Sequence, residues 1–224
     1  MIEISASALY RIMSFRHVID MFDASRLRLS MPSSWDDPYE RLVTYSRTEL
    51  VFAQCWSKHE TSDALWRIYS SDRMGLCVRT TRGRLDAALQ EAQTHVSLEY
   101  RIDDVDYLPD AEAVERASAL VHDAEAAGNL AQGVLASLFI KRTAFAHESE
   151  VRAAVHLQEE PTSYSSQLFL TVDPHALVDR IEFDPRADPA FARMCTHYLR
   201  TAAHFNGDIS KSNLYDDSDT MVIV

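Results

Sequence analysis

Three groups of residues carry types and spacings that could do chemistry. The first is the run from His147 to Arg152, which contains Glu148 and Glu150. Read as a strand, its alternation puts Glu148, Glu150 and Arg152 on one face. Val151, Ala153 and Val155 take the other, which must be the core face. Carboxylates at i and i+2 of a strand stand roughly 6.5–7 Å apart and can act on one small substrate from one side. Crowded like charges raise one carboxyl pKa, which suits general-base work, while an ionised partner stabilises a developing cation. The plainer reading is a solvated edge-strand face on which Arg152 neutralises its neighbours. The second group is Gln54-Cys55-Trp56-Ser57 at a strand end, followed by Trp66 and Tyr69 three apart on a helix. It could form a stacking platform for a flat ring, or simply part of the core. The third is Tyr10-Arg11. An arginine in an apolar neighbourhood needs an anionic partner, either internal (Asp36, Asp37 or Glu40) or a ligand phosphate.

These groups have to be positioned by the elements around them. Leu9–Ile12 reads as a short strand, and Ser14 caps a helix whose Phe15, Val18, Ile19 and Phe22 share a face. Leu27, Leu29 and Met31 alternate up to Pro32, and a turn-rich loop runs to Pro38. Strands are expected over Val51–Ser57 and Met74–Thr80, with helices after Ser62 and around Leu85–Ala92. Val96–Leu108 gives one long or two short strands. An Ala-rich pair of helices, broken near Gly128-Asn129, fills 110–140 as an insertion. Val151–Leu157, Leu168–Val172 and Arg180–Phe183 complete the strands. Asp188-Pro189 then opens a helix that Asn206-Gly207 ends. The pattern is α+β: a mixed central sheet split into two packed halves, with peripheral helices, as one domain over residues 1–224.

Composition narrows the chemistry. The chain has 224 residues, 46% hydrophobic and 25% charged, ordinary for a globular protein. Its 22 basic and 34 acidic residues give a formal net charge of −12, which disfavours general nucleic-acid binding. Five glycines leave little for a phosphate cradle, and Gly128–Gly133 is followed by Val134-Leu135 where Lys-Ser/Thr is required. There is no Gly-x-Ser-x-Gly elbow and no His-Glu-x-x-His. Nine histidines are scattered, and His197 and His204 do not read as ligands, so no metal is expected. Three separated cysteines suggest a reducing compartment. The start of the chain has no signal-peptide pattern, and no run spans a membrane. A cytoplasmic protein is expected.

The blocks Leu9-Tyr10-Arg11, Pro32 to Glu40, Cys55-Trp56-Ser57, Trp66 to Tyr69, Gly75 to Cys77 and Glu148-Ser149-Glu150-Val151-Arg152 occur in order across nearly the whole chain. Together they resemble a family of uncharacterised bacterial proteins, the domain of unknown function 2971. Asp36 stands where that family has Asn, the aromatic before the acidic pair is missing, and the segment 110–140 is individual to this chain. The order Arg, Ser, Glu-x-Glu is also similar to one branch of the ADP-ribosyltransferases. That resemblance implies NAD as substrate. Arg11 would bind its phosphate or ribose, with Tyr10 beside it, and Ser57 would support the pocket. Tyr69 or Trp66 would stack on nicotinamide. Glu150 would stabilise the ribosyl cation, and Glu148 would activate the acceptor. It implies ADP-ribosyl transfer or NAD glycohydrolysis, as a toxin or phage-defence effector acting on an unknown macromolecule. The alternatives are a non-enzymatic sensor of a nucleotide-like ligand or partner-binding module, and a Mg²⁺-dependent nuclease using Asp36, Asp37, Glu40 and Glu148.

Overall fold

Short amphipathic segments dictate the element order in this computed structural model, which describes residues 8–35, 37–41, 50–159 and 165–216. The first half contains β1 (Ala8–Ser14), α1 (Phe15–Asp23), β2 (Arg26–Ser30), β3 (Val51–Ser57), α2 (Asp63–Tyr69), β4 (Gly75–Thr81), α3 (Arg82–Gln93), β5 (Leu98–Asp104) and β6 (Asp106–Leu108). The second contains α4 (Asp110–Ala126), α5 (Leu130–Ser137), β7 (Ile140–Arg142), β8 (Glu150–Leu157), β9 (Gln167–Thr171), α6 (Pro174–Leu177), β10 (Arg180–Phe183), α7 (Pro189–Thr201) and β11 (Asp208–Lys211). The α+β class and the mixed sheet are as expected. Nine strands form one sheet, ordered β11-β10-β4-β1-β3-β2-β9, with β8 on β3 and β5 beyond β8. Among the described residues only β10 and β11 run parallel within it, and β6 and β7 form a separate parallel pair.

The sheet divides at β3. Along its whole length β3 pairs antiparallel with β8, so Ser57 stands opposite Glu150 and Cys55 opposite Arg152. Its other edge meets β1 only at Tyr10↔Ser57 and β2 only at Ser30↔Ala53. The two halves diverge between these points. A row Tyr10–Ser57–Glu150 therefore crosses three strands and joins segments 140 residues apart in the chain.

One face of β8 (Val151, Ala153, Val155) belongs to the main core, with Phe52, Trp56, Leu76 and Val78. The opposite face is not solvated. Val134, Leu135 and Leu138, from α5 and the residue after it, pack with Val51, Ala53 and Ala154. Burying each large aliphatic side chain stabilises by about 1.5–3 kcal/mol. The insertion is thus a cover for β8 rather than a peripheral appendage. It ends in β7, which the sequence reading did not anticipate, as it did not anticipate β11. Helix α7 starts as expected, with the Asp188 carboxylate accepting from the amides of Ala190 (2.8 Å) and Phe191 (3.1 Å). It stops at Thr201 rather than near Asn206, and the chain turns through a left-handed His204 instead.

Candidate functional site

A cavity of about 480 Å³ opens where the two halves of the sheet part, within the size range of small-molecule sites. Its wall includes all seven residues singled out in the sequence: Tyr10, Arg11, Ser57, Trp66, Tyr69, Glu148 and Glu150. The register of β3 against β1 and β8 is what brings them together. Trp35, Gln54, Cys55, His59, Lys141, Phe145, His147 and Arg152 also face it.

The aromatic side is built on α2. Ser62 caps the helix by accepting from the Leu65 amide at 3.3 Å. Trp66 is only 1% exposed and packs with Tyr10 and Cys77, so it forms wall. Tyr69, one turn on, is half exposed, and its hydroxyl donates to Glu148 Oε1 at 3.4 Å. Burial, with Glu148 and Glu150 behind it, raises the Tyr69 pKa, so the phenol keeps its proton. Ser57 donates to the Glu148 carbonyl at 2.7 Å and accepts from the His59 amide at 3.0 Å. It therefore ties the end of β3 to the segment carrying the acids.

Arg11, partly buried, is the unpaired end of the electrostatics. Its Nη1 donates to the Cys55 carbonyl, while its buried Nε has no hydrogen-bond partner. Among the described residues no carboxylate pairs with it. Asp37 is held by Arg142 (2.9 and 3.4 Å) and Glu40 by Arg152, while Asp36 lies outside the described residues. The expectation that an internal acid neutralises Arg11 fails for Asp37 and Glu40, because each already faces a closer cation. Burial pushes the Arg11 guanidinium down from its ordinary pKa.

The acidic side corrects the edge-strand picture. β8 is internal, between β3 and β5, and every one of its residues is buried. Glu148 does not share the strand. It ends a 3₁₀ turn over Thr143–Glu148, and Ser149, at φ 45°, ψ 57°, breaks the alternation before β8 begins. Glu148 and Glu150 are 6% and 5% exposed. They converge on one ammonium that sequence reasoning missed, Lys141 of β7. Its Nζ donates to Glu148 Oε2 at 2.6 Å and to Glu150 Oε2 at 3.3 Å. Arg152, fully buried, donates to Glu150 Oε2 from Nε (3.1 Å) and Nη2 (2.7 Å), to the Leu138 carbonyl (2.6 Å), and to Glu40. The one signal that could have exposed Lys141 is electrostatic: three carboxylates in an apolar stretch need more cation than Arg152 alone supplies.

Burial alone would push the Glu150 carboxyl up, but Arg152 and Lys141 outweigh it and hold the pKa below the ordinary glutamate value. Crowding therefore does not turn Glu150 into a base near neutrality. It is a fixed anion. Burial does raise Glu40. It also pushes the Cys55 thiol up to about 12, with Glu150 adding to it, so Cys55 is no thiolate nucleophile. Among the described residues no group of three or more His, Cys, Asp or Glu could hold a metal ion. The carboxylates that a Mg²⁺ nuclease would need, Asp37, Glu40 and Glu148, face cations instead. No described helix is long and apolar enough to cross a membrane.

No protein-family model matches the chain and no curated protein does, so the resemblance to domain of unknown function 2971 has no matching family model behind it. Among solved structures, the chain is similar to Thermus sp. 2.9 DarT in complex with NAD⁺, with 10% identity and a TM-score of 0.44 over 93% of this chain and 96% of that one. A second structure, of Thermus sp. 2.9 DarT in complex with ADP-ribosylated ssDNA, matches at 10% identity and a TM-score of 0.44, over 92% of this chain and 94% of that one. The expectation of no general nucleic-acid partner gains no support from these comparisons.

Proposed function

We propose that the cavity binds NAD and that the chain breaks the nicotinamide–ribose bond, by ADP-ribosyl transfer or NAD glycohydrolysis. The observation that carries this reading is the pairing, across one cavity, of an arginine with an unsatisfied buried Nε and a carboxylate held ionised by two cations. A dinucleotide has an anionic diphosphate for Arg11 and a flat ring for the Trp66–Tyr69 wall. When the bond from C1′ to the nicotinamide nitrogen breaks, its electron pair leaves with neutral nicotinamide and positive charge remains on the ribose. A preorganised carboxylate lowers that barrier, since it needs no reorganisation as the charge develops. All the cation contacts of Glu150 fall on Oε2, which leaves Oε1 as the oxygen to face the sugar. Water or an acceptor hydroxyl, amine or base then bonds to C1′ and gives up its proton to the Glu148 carboxylate, from which it passes to solvent. Glu148, 2.6 Å from Lys141, is the acceptor-side acid.

Incubating the protein with labelled NAD and bacterial lysate tests this. Wild type should transfer label or release nicotinamide, and Glu150→Gln should lose on the order of 10² or more in rate. Full activity in Glu150→Gln removes the reading. Lethality on bacterial expression that disappears in Glu150→Gln would extend it to a toxin or phage-defence effector.

One observation favours binding without turnover. Both Glu148 oxygens already accept a hydrogen bond, from Lys141 and from Tyr69, so an acceptor would have to compete with these donors. Thermal stabilisation by NAD or ADP-ribose with no nicotinamide released would establish that alternative, because a ligand bound only by the folded state stabilises it.

A further inference from the structure

The reading above uses Lys141 only as a cation beside Glu150; what holds Lys141 in place is the block Asp37-Pro38-Tyr39-Glu40 and the insertion before it, both of which reach the back of the acidic wall. Glu40 pairs with Arg152 and lies 4.0 Å from Lys141 Nζ. Asp37 holds Arg142, the residue after Lys141, through Nη2 at 2.9 Å. The Arg142 guanidinium also stacks 4.0 Å from the centre of the Tyr39 ring. One short turn therefore grips Arg142 of β7 through Asp37 and sets Glu40 beside its neighbour Lys141. Their backbone is fixed in turn by pairing with β6, Tyr107 opposite Lys141.

We propose that Lys141, seated beside Glu40 at the end of the 110–140 insertion and donating to Glu150, is a positioning residue that together with Arg152 fixes the Glu150 carboxylate facing the cavity. Its significance for catalysis rests on the NAD reading, but the device itself is visible without it. Every element packed around Glu150 contributes a group. β8 supplies Arg152 and β7 supplies Lys141. Glu148 stands on the preceding turn, and Glu40 lies behind both cations. β3 brings Cys55, while Arg11 of β1 and Tyr69 of α2 face it across the cavity. The Tyr107 hydroxyl of β6 takes the Glu150 amide at 2.8 Å. Among these the buried carboxylates number three and the cations in direct contact with them two. Removing one cation leaves like charges crowded in a dry wall, and the carboxyl responds by binding a proton.

The test is the titration of the Glu150 side-chain carboxyl, followed by ¹³C NMR in wild type, Lys141→Met and Lys141→Arg. In wild type it should titrate below the ordinary glutamate value of 4.5. In Lys141→Met it should move up by about one unit or more, the scale of losing an adjacent opposite charge, and Lys141→Arg should restore most of the shift. A carboxyl raised by about one unit stays ionised near neutrality, so nicotinamide release by Lys141→Met should match wild type there, fall up to about tenfold below wild type in acid, mainly in kcat, and recover as pH rises. A Lys141 that only supports the fold would lower the unfolding temperature and leave the Glu150 titration where it was, and that result overturns the proposal. Should Lys141→Met not fold, the wild-type titration decides: a Glu150 carboxyl at or above 4.5 overturns the proposal as well. Absence of NAD turnover in wild type would remove the functional reading without touching these titrations, and an unmoved Glu150 would remove the positioning without touching turnover.

Discussion

Two arginines face the same cavity and their surroundings treat them in opposite ways. Arg152 is fully enclosed, with two carboxylates and a carbonyl on its donors and the Trp35 ring 4.7 Å from its guanidinium carbon. Arg11 has one carbonyl and an unpaired buried Nε. A buried charge without its counter-charge costs free energy, so a fold tolerates it only where something else is gained. The contrast teaches which side of the cavity is self-sufficient and which is not. In the reading proposed above, the Arg152 side is scaffold and a ligand anion would complete the Arg11 side.

The contrast can be broken by substitution. Arg152→Met strands Glu40 and Glu150 in the interior and should cost about 3–5 kcal/mol of stability in denaturant unfolding. A loss under about 1 kcal/mol would mean that the network is not the scaffold it looks like. Arg11→Met should leave stability within about 1 kcal/mol, since only one carbonyl contact goes. The same variant should lose the thermal stabilisation that NAD gives wild type, about 2.7 kcal/mol at a hundredfold excess over Kd. Retained stabilisation would relieve Arg11 of a ligand role. The smallest effect belongs to acid. Glu150, with its folded pKa depressed by Arg152 and Lys141, contributes stability that is complete above its unfolded value near 4.5 and lost as pH falls through the lower folded value. Glu40, raised by burial, contributes in the opposite sense: its stability is present at low pH and lost as pH rises through its folded value. The two partly offset each other, so urea midpoints should decline only gently from neutrality to pH about 4. A steep collapse over that range would point to a further buried carboxylate at the centre of the network.

Local pattern made much of this legible. Alternation marked β2 and β8, an apolar run marked β3, and Asp188-Pro189 marked the start of α7, because those signals depend on a few adjacent residues. Tyr10, Arg11, Ser57, Trp66, Tyr69, Glu148 and Glu150 could be selected by type, but their meeting in one cavity follows from strand register, which no local window contains. The burial of Arg152 was illegible for a related reason. Nothing near it in sequence says that α5, fifteen or more residues earlier, covers that face. Glu148 left the strand because Ser149 takes a left-handed conformation that its residue type does not announce. Lys141 is a single lysine after an Ala-rich helical stretch, and its importance comes wholly from what folds around it.

The central claim is that the cavity holds NAD with its ribosyl carbon before Glu150. The most direct measurement is nicotinamide release from NAD by the purified protein and by Glu150→Gln, with folding of both checked by thermal unfolding. The account predicts release by wild type and a loss of two orders of magnitude or more in the variant, on the order of what removing one preorganised electrostatic group costs. Equal rates in the two folded proteins, or no NAD-dependent stabilisation and no release in wild type, would contradict it.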